Sequence, residues 1–174
     1  MIYRVLVPFI AMSLFFMEPM FSLFSPIEWG GRYYTLIPYF FATFLILLTA
    51  YDTQKTAYTY AFLFGIIYDM YHIDLIGVYT FIYPFVVLVA TFVIERVHRE
   101  FSVVLVLAIV LIMIIEMLSF GFATAVSFTS MPFRAFAIER LLPTTLANGL
   151  FIILFSYSLR FFIEKRREAL DPTI

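Results

Sequence analysis

Six long apolar runs occupy almost the whole chain, and they constrain its fold more than any other feature. They cover residues 5–24, 33–51, 56–70, 75–94, 101–126 and 138–163 of the 174-residue sequence. A helix needs about 20 apolar residues to cross the hydrocarbon core of a bilayer, which is roughly 30 Å thick. The third run is short, and the last two are long enough to tilt. The runs predict one integral membrane domain, residues 1–174, with an all-α fold: a bundle of six transmembrane helices.

The composition agrees with a lipid environment and excludes several classes of protein. Hydrophobic residues make up 64% of the chain and charged residues only 13%, whereas a soluble domain carries about 25% charged residues. The net charge of −1 provides no clustered cations for nucleic acid, so we expect membrane lipid and no nucleic acid among its partners. The chain has no cysteine, which excludes disulfides and thiolate chemistry.

Lysine and arginine are distributed unevenly between the two sides of the predicted bundle. Eight lie on the side that holds both termini and the loops after the second and fourth helices. The opposite side holds three, namely Arg32, Arg134 and Arg140. Because cytoplasmic segments carry an excess of these residues, we expect a multi-pass protein of the cytoplasmic membrane with both termini in the cytoplasm.

Ionisable residues inside the apolar runs need an explanation, since each costs at least about 2.5–3.5 kcal/mol at the centre of a membrane helix. Glu18, Asp69 and Glu116 lie at similar distances along three helices that are predicted to run outward. Glu139 and Arg140 begin the sixth helix at about the same level. We therefore expect Arg140 to pair with Glu116 or Asp69. The alternative is that these residues reach the outer interface independently.

Weaker signals concern packing and anchoring. Asn148 is positioned to hydrogen-bond across helices, and Pro143 is typical of a first helical turn. Gly65 and Gly77 predict close helix contact. Tyrosines near the predicted helix ends, Tyr79 among them, are typical of an interfacial aromatic belt.

The sequence contains none of the common signatures of a catalytic or cofactor site. It has no phosphate-binding glycine loop, no histidine cluster with metal-ligand spacing and no nucleophile elbow. We therefore expect no enzyme activity, no catalytic or metal-ligating residues and no cofactor.

Two segments resemble bacterial rod shape-determining proteins of the MreD family. The first, residues 62–71 with the continuation 75–81, contains the pattern Gly-x-x-Tyr-Asp at 65–69. The second, residues 139–148, contains Glu-Arg-x-x-Pro-Thr at 139–144. The size, the number of spans and the basic carboxyl end also fit this family.

The resemblance implies a non-catalytic membrane scaffold of the cell-wall elongation complex that is required for rod shape. It also implies the partners: MreC first, then RodA, a class B penicillin-binding protein and the MreB filament, through which peptidoglycan synthesis is organised. The family is similar in architecture to the six-helix substrate-binding subunits of energy-coupling-factor transporters.

Two alternatives remain beside the scaffold. One is a solute-binding subunit of a membrane transporter, although the first helix lacks the Ala-x-x-x-Ala pattern such subunits use for docking. The other is a membrane protein that binds a lipid headgroup in a cavity lined by Glu18, Asp69 and Glu116. Three carboxylates against one arginine suit a phosphate poorly, because like charges repel.

A partner contact is expected in the external segment before the sixth helix. Phe133 and Phe136 are candidate anchors, with Arg134 between them. The alternative is a loop that rests on lipid headgroups.

Overall fold

The structure, a computed structural model, describes residues 2–73, 77–97 and 99–170 and is mostly helical there. Residues 74–76, which include the predicted start of the fourth helix at residue 75, lie outside the described residues. The helices are α1 (Ile2–Ser22), α2 (Phe40–Tyr51), α3 (Gln54–Tyr68), α4 (Val78–Ile94), α5 (Phe101–Ala125) and α6 (Phe133–Leu170). Two helical stretches have the wider π geometry: Asp69–Ile73 extends α3, and Ala137–Leu141 lies within α6.

Three of these helices, α1, α5 and α6, are long and apolar enough to cross a membrane. Helices α2 and α4 are apolar but shorter. The fifth predicted run, 101–126, agrees with α5 to within one residue. Helix α6 begins five residues before its predicted start at 138, so part of the expected external loop is helical.

A short β-hairpin follows α1, which corrects the expectation of a purely helical fold. Strands β1 (Ile27–Trp29) and β2 (Arg32–Tyr34) pair antiparallel, with Trp29 opposite Arg32. Gly30 and Gly31 form the two-residue turn at φ of +60° and +73°. Two successive positive φ values match the twist of a tight hairpin, and glycine adopts them without strain.

The centre of the fold is α2, which is buried along its whole length. It packs against all the other long helices, which is why its sequence is apolar on every face. The predicted helix at 33–51 is wrong in its first part, since α2 begins only at Phe40. Residues 35–39 are not helical, and Pro38 helps to explain this because it lacks an N–H and disfavours helical geometry at Ile37.

Helices α3 and α4 pack at very short range, and Gly65 permits this. A Cβ atom at Gly65 would lie 2.7 Å from the carbonyl oxygen of Tyr79, which is backbone and unable to move aside. The expectation of close contact is confirmed there but is wrong for Gly77. A side chain at Gly77 would meet open space, and this glycine instead supplies a φ of +119° at the start of α4.

Candidate functional site

Polar side chains from six segments gather at one end of the bundle, where α1, α3 and α5 end and α6 begins. We call this set the capping cluster, because two of its carboxylates cap helices to which they do not belong. Its members are Glu18, Tyr39, Asp69, Tyr79, Glu116, Arg140, Thr144 and Asn148.

Glu18 of α1 caps the amino terminus of α2. The backbone N–H of Phe41 donates to Glu18 Oε1 at 2.8 Å, and the carboxyl group is buried. Tyr39 precedes α2 and makes no capping bond with its own side chain. The first N–H groups of a helix have no partner within it and carry partial positive charge. Glu18 therefore provides an acceptor for one of the first N–H groups of α2 and links α1 to that helix.

Asp69 does the same for α4, with more bonds. Its Oδ1 accepts the backbone N–H of Tyr79 at 2.7 Å, and Oδ2 accepts the N–H of Gly77 at 2.8 Å and of Thr80 at 3.0 Å. The Thr80 hydroxyl donates to Oδ2 at 2.7 Å. Glycine at the cap position has no side chain to offer. The completely buried Asp69 supplies the missing acceptor, in place of the usual cap side chain.

Glu116 is the partner of Arg140. Arg140 Nε donates to Glu116 Oε1 at 2.6 Å, while the Tyr39 hydroxyl donates to Oε2 at 2.5 Å. The Glu116 side chain is fully buried, whereas 29% of the Arg140 side chain remains exposed. Of the two partners expected for Arg140, the structure therefore brings Glu116 to it and leaves Asp69 at the start of α4.

Two tyrosines connect these pairs. The Tyr39 and Tyr79 hydroxyls lie 3.4 Å apart, and Tyr79 also reaches the Ser119 hydroxyl at 3.2 Å. Tyr79 is 4% exposed, so its assignment to an interfacial belt is wrong. A phenol hydroxyl both donates and accepts. The tyrosines can therefore join the ion pair on α5 and α6 to the start of α4.

Asn148 and Thr144 hydrogen-bond to the backbone of the non-helical segment before α2. Asn148 Oδ1 accepts the N–H of Tyr39 at 2.7 Å, and its Nδ2 donates to the carbonyl of Ile37 at 2.8 Å. Thr144 Oγ1 lies 3.2 Å from both the N–H of Ile37 and the carbonyl of Thr35. Non-helical backbone is tolerated at membrane depth only where protein satisfies it, and α6 provides those partners.

Pro143 contributes to the same interface without a polar side chain. It has no N–H, so the carbonyl of Glu139, four residues earlier, lacks its α-helical donor. That carbonyl accepts the backbone N–H of Thr35 at 2.7 Å instead. Pro143 lies in the first turn of the α-helical stretch Leu142–Leu170, which follows the π stretch Ala137–Leu141 without a break, so the expected position at a helix start is confirmed for that stretch. The Glu139 side chain forms no ion pair with the described residues.

The external segment is only partly available for contacts. Phe133 is 60% exposed, and Arg134 is exposed beside it. Phe136 is completely buried and stacks on Phe120 with ring centroids 3.9 Å apart. Its expected role as a partner anchor is therefore wrong, because its ring already fills the core.

Sequence reasoning found the acidic residues and the pairing of Arg140 with Glu116, but not the backbone groups that Glu18 and Asp69 bind. Tyr39 and Thr80 were not identified, although Gly77 at a helix start and Pro38 before α2 both signal backbone groups that need partners. Every carboxylate of the cluster accepts hydrogen bonds, which suits a role in fixing the relative positions of helices.

Comparisons with known proteins agree with this description. The family model for the rod shape-determining protein MreD matches residues 3–166. The rod shape-determining protein MreD of Bacillus subtilis (strain 168) is 30% identical over 170 residues, which cover 97% of this chain and 98% of that protein. No solved structure matches the chain. The resemblance in residues 62–71 and 139–148 is thus confirmed, and the chain belongs to the MreD family, whose members determine rod cell shape.

Proposed function

We propose that this protein is a non-catalytic, six-span scaffold of the cell-wall elongation complex in the cytoplasmic membrane, with both termini in the cytoplasm. In this proposal it binds MreC and, with RodA, a class B penicillin-binding protein and MreB, organises peptidoglycan synthesis. The family supports the role in rod shape. The uneven distribution of Lys and Arg supports the orientation.

The short helices are compatible with six crossings. Helix α2 has 12 residues and is about 18 Å long, less than the roughly 30 Å of a bilayer core. The non-helical residues 35–39 precede α2 and add to the length of this crossing, and Asn148 bonds to the backbone of Ile37 and Tyr39. Helix α3 continues through Asp69–Ile73, which lengthens the third crossing in a similar way.

The observation that carries the scaffold proposal is the capping of α2 and α4 by carboxylates from other helices. Glu18 fixes α1 to α2, and Asp69 fixes the end of α3 to the start of α4. Helices in lipid associate through packing and hydrogen bonds, because lipid tails already satisfy apolar surfaces. Bonds of this kind hold a bundle in one shape. A constant shape is what a scaffold needs to present a fixed surface to its partners.

The exposed part of the external segment is the surface that we assign to MreC. Phe133 and Arg134 offer an aromatic ring and a guanidinium at the start of α6. Aromatic and arginine side chains dominate the binding energy of protein interfaces. The buried Phe136 supports this surface from beneath by stacking on Phe120.

The experiment replaces the native gene of a rod-shaped bacterium with the double variant Phe133→Ser, Arg134→Glu. We expect rounded cells and about tenfold less co-purified MreC, which corresponds to about 1.4 kcal/mol of binding energy. Met131→Ser, in the same exposed segment, is the matched control and should leave both readouts unchanged. Membrane levels of all variants are compared by immunoblot. Rod-shaped cells with normal MreC recovery in the double variant would exclude this surface.

A further inference from the structure

A cavity of about 420 Å³ lies beside the capping cluster. Its polar wall includes Tyr68, His72, Tyr79, Ser119 and Arg140. The size falls in the range of pockets that hold small molecules or headgroups, about 300–1,000 Å³. The cavity therefore has room for a ligand group beside a positively charged side chain.

The charge of this cavity differs from what the sequence suggested. None of its lining residues in the described part of the chain is acidic. Glu18 and Asp69 are directed to the amino termini of α2 and α4, and Glu116 is paired with Arg140. Glu18 and Asp69 do not line the cavity, and the charge of Glu116 is balanced by Arg140. The described residues therefore do not present three unbalanced carboxylates to a phosphate.

Arg140 retains donors for a second anion. A guanidinium has five N–H groups, and here Nε and Nη2 are the nitrogens directed at Glu116, at 2.6 Å and 3.5 Å. Nη1 forms no hydrogen bond with the described residues. Because Arg140 lines the cavity and 29% of its side chain is exposed, these donors are available there. Arginine binds phosphate oxygens strongly through such donors.

A second, apolar groove shares lining residues with the polar cavity. It has a volume of about 620 Å³ and is lined by α1, the start of α2 and α6, including Phe21, Phe151 and Ala147. Leu36 and Ile37 line both the polar cavity and this groove. The polar cavity and the apolar groove are thus adjacent at these two residues.

We propose that the two spaces together bind one phosphate-bearing lipid, with its phosphate at Arg140 in the cavity and an acyl chain in the groove. A phosphate-bearing lipid is complementary to both spaces, because its phosphate can bind an arginine and its acyl chain can pack against an apolar surface. A soluble phosphate would leave the groove unused. This site is independent of the surface assigned to MreC, since neither Phe133 nor Arg134 lines either space.

The test is native mass spectrometry of the full-length purified chain in detergent with three probes at equal concentration. They are dioleoyl phosphatidic acid, dioleoylglycerol, which has the same chains without phosphate, and glycerol 3-phosphate, which has the phosphate without chains. We expect one retained phosphatidic acid, bound at least about tenfold more tightly than either other probe, because only it uses both the charge-assisted bonds and the groove.

Filling each space separately locates the lipid. Ala123→Leu places a larger side chain in the cavity, and Ala125→Leu on the exposed face of the same helix is its control. Ala147→Phe fills the groove, and the exposed Leu146→Phe is its control. We expect Ala123→Leu and Ala147→Phe each to reduce phosphatidic acid retention about tenfold, with unchanged retention in both controls. Size-exclusion elution confirms that each variant is folded.

Three results would overturn the proposal. Equal retention of dioleoylglycerol and phosphatidic acid would show that phosphate is not recognised. Retention in Ala123→Leu equal to that in Ala125→Leu would place the lipid outside the cavity. Binding of glycerol 3-phosphate as tight as that of phosphatidic acid, with no effect of Ala147→Phe, would exclude the groove and the lipid.

Discussion

The two ends of the bundle use the same residue types in different ways. At the capping cluster, carboxylates are fully or almost fully buried and mostly bond to backbone N–H groups of neighbouring helices. At the opposite end, Arg160 and Glu164 pair within α6 at 2.9 Å, with 33% and 39% of their side chains exposed. Among the residues that the structure describes, the pair between Asp52 and Arg166 is the one ion pair at this end that joins two segments with little exposure.

This difference concerns what each carboxylate replaces. A surface ion pair replaces water, so its net contribution is small. A carboxylate that caps a buried helix start replaces partners that lipid cannot supply, and its loss leaves several N–H groups without an acceptor. The capping cluster should therefore tolerate few substitutions, whereas pairs at the opposite end should tolerate many.

The largest expected effect comes from breaking the buried ion pair. Arg140→Met leaves the carboxylate of Glu116 buried with only the Tyr39 hydroxyl as a partner. Removal of one member of a buried pair costs about 3–5 kcal/mol. We expect a loss of about 3 kcal/mol in the free energy of unfolding, measured by denaturant unfolding in detergent micelles.

The double variant Glu116→Leu, Arg140→Met is the control for this prediction. It removes both charges together, and apolar replacement of a buried pair is often nearly neutral. We expect it to recover more than half of the stability lost in Arg140→Met. If the double variant is as unstable as the single one, the pair itself does not account for the loss.

A smaller effect is expected from the cap of α4. Asp69→Asn keeps the shape of the side chain but places an amide NH₂ where one carboxylate oxygen was. An NH₂ group cannot accept hydrogen bonds from the backbone N–H groups of α4. We expect a loss of about 2 kcal/mol in thermal unfolding experiments. Thr80→Val removes only the hydroxyl bond to Asp69 and should lose about half as much. Equal losses in the two variants would show that the hydroxyl, not the backbone, is the main partner.

Much of the helical fold could be predicted because long apolar runs indicate segments that are buried in lipid or in protein. The limits of α5 are an example, since Glu116 is the one charged residue between Phe101 and Ala125 and the charged Glu100 precedes the helix. The start of α2 could not be predicted in this way. Residues 35–39 continue the apolar run without a charged residue, yet they are not helical. Asn148, more than one hundred residues later, supplies partners for their backbone.

The charges of the site and its ion pair were predictable, whereas the backbone groups that its carboxylates bind were not. Hydrophobic neighbours identify Glu116 as a residue that needs an explanation, and the pairing with Arg140 follows from their level in the bundle. The roles of Glu18 and Asp69 depend on backbone N–H groups, which every residue but proline has and which leave no trace in the sequence. The buried roles of Tyr39 and Tyr79 could not be predicted either, because a tyrosine near a helix end is also typical of an interfacial anchor.

The smallest effect is expected at the opposite end of the bundle and completes the comparison. Arg160→Gln removes the pair with Glu164, which is half-exposed and lies one turn away on the same helix. Such pairs contribute about 0.3–0.5 kcal/mol, so the unfolding midpoint in detergent should change by no more than its experimental error. The Arg160 guanidinium also lies 4.7 Å from the Tyr51 ring centre, and Arg160→Lys retains part of that contact as a control. A loss above about 2 kcal/mol in Arg160→Gln alone would mean that this end is as tightly coupled as the capping cluster, because exposed pairs do not reach that value.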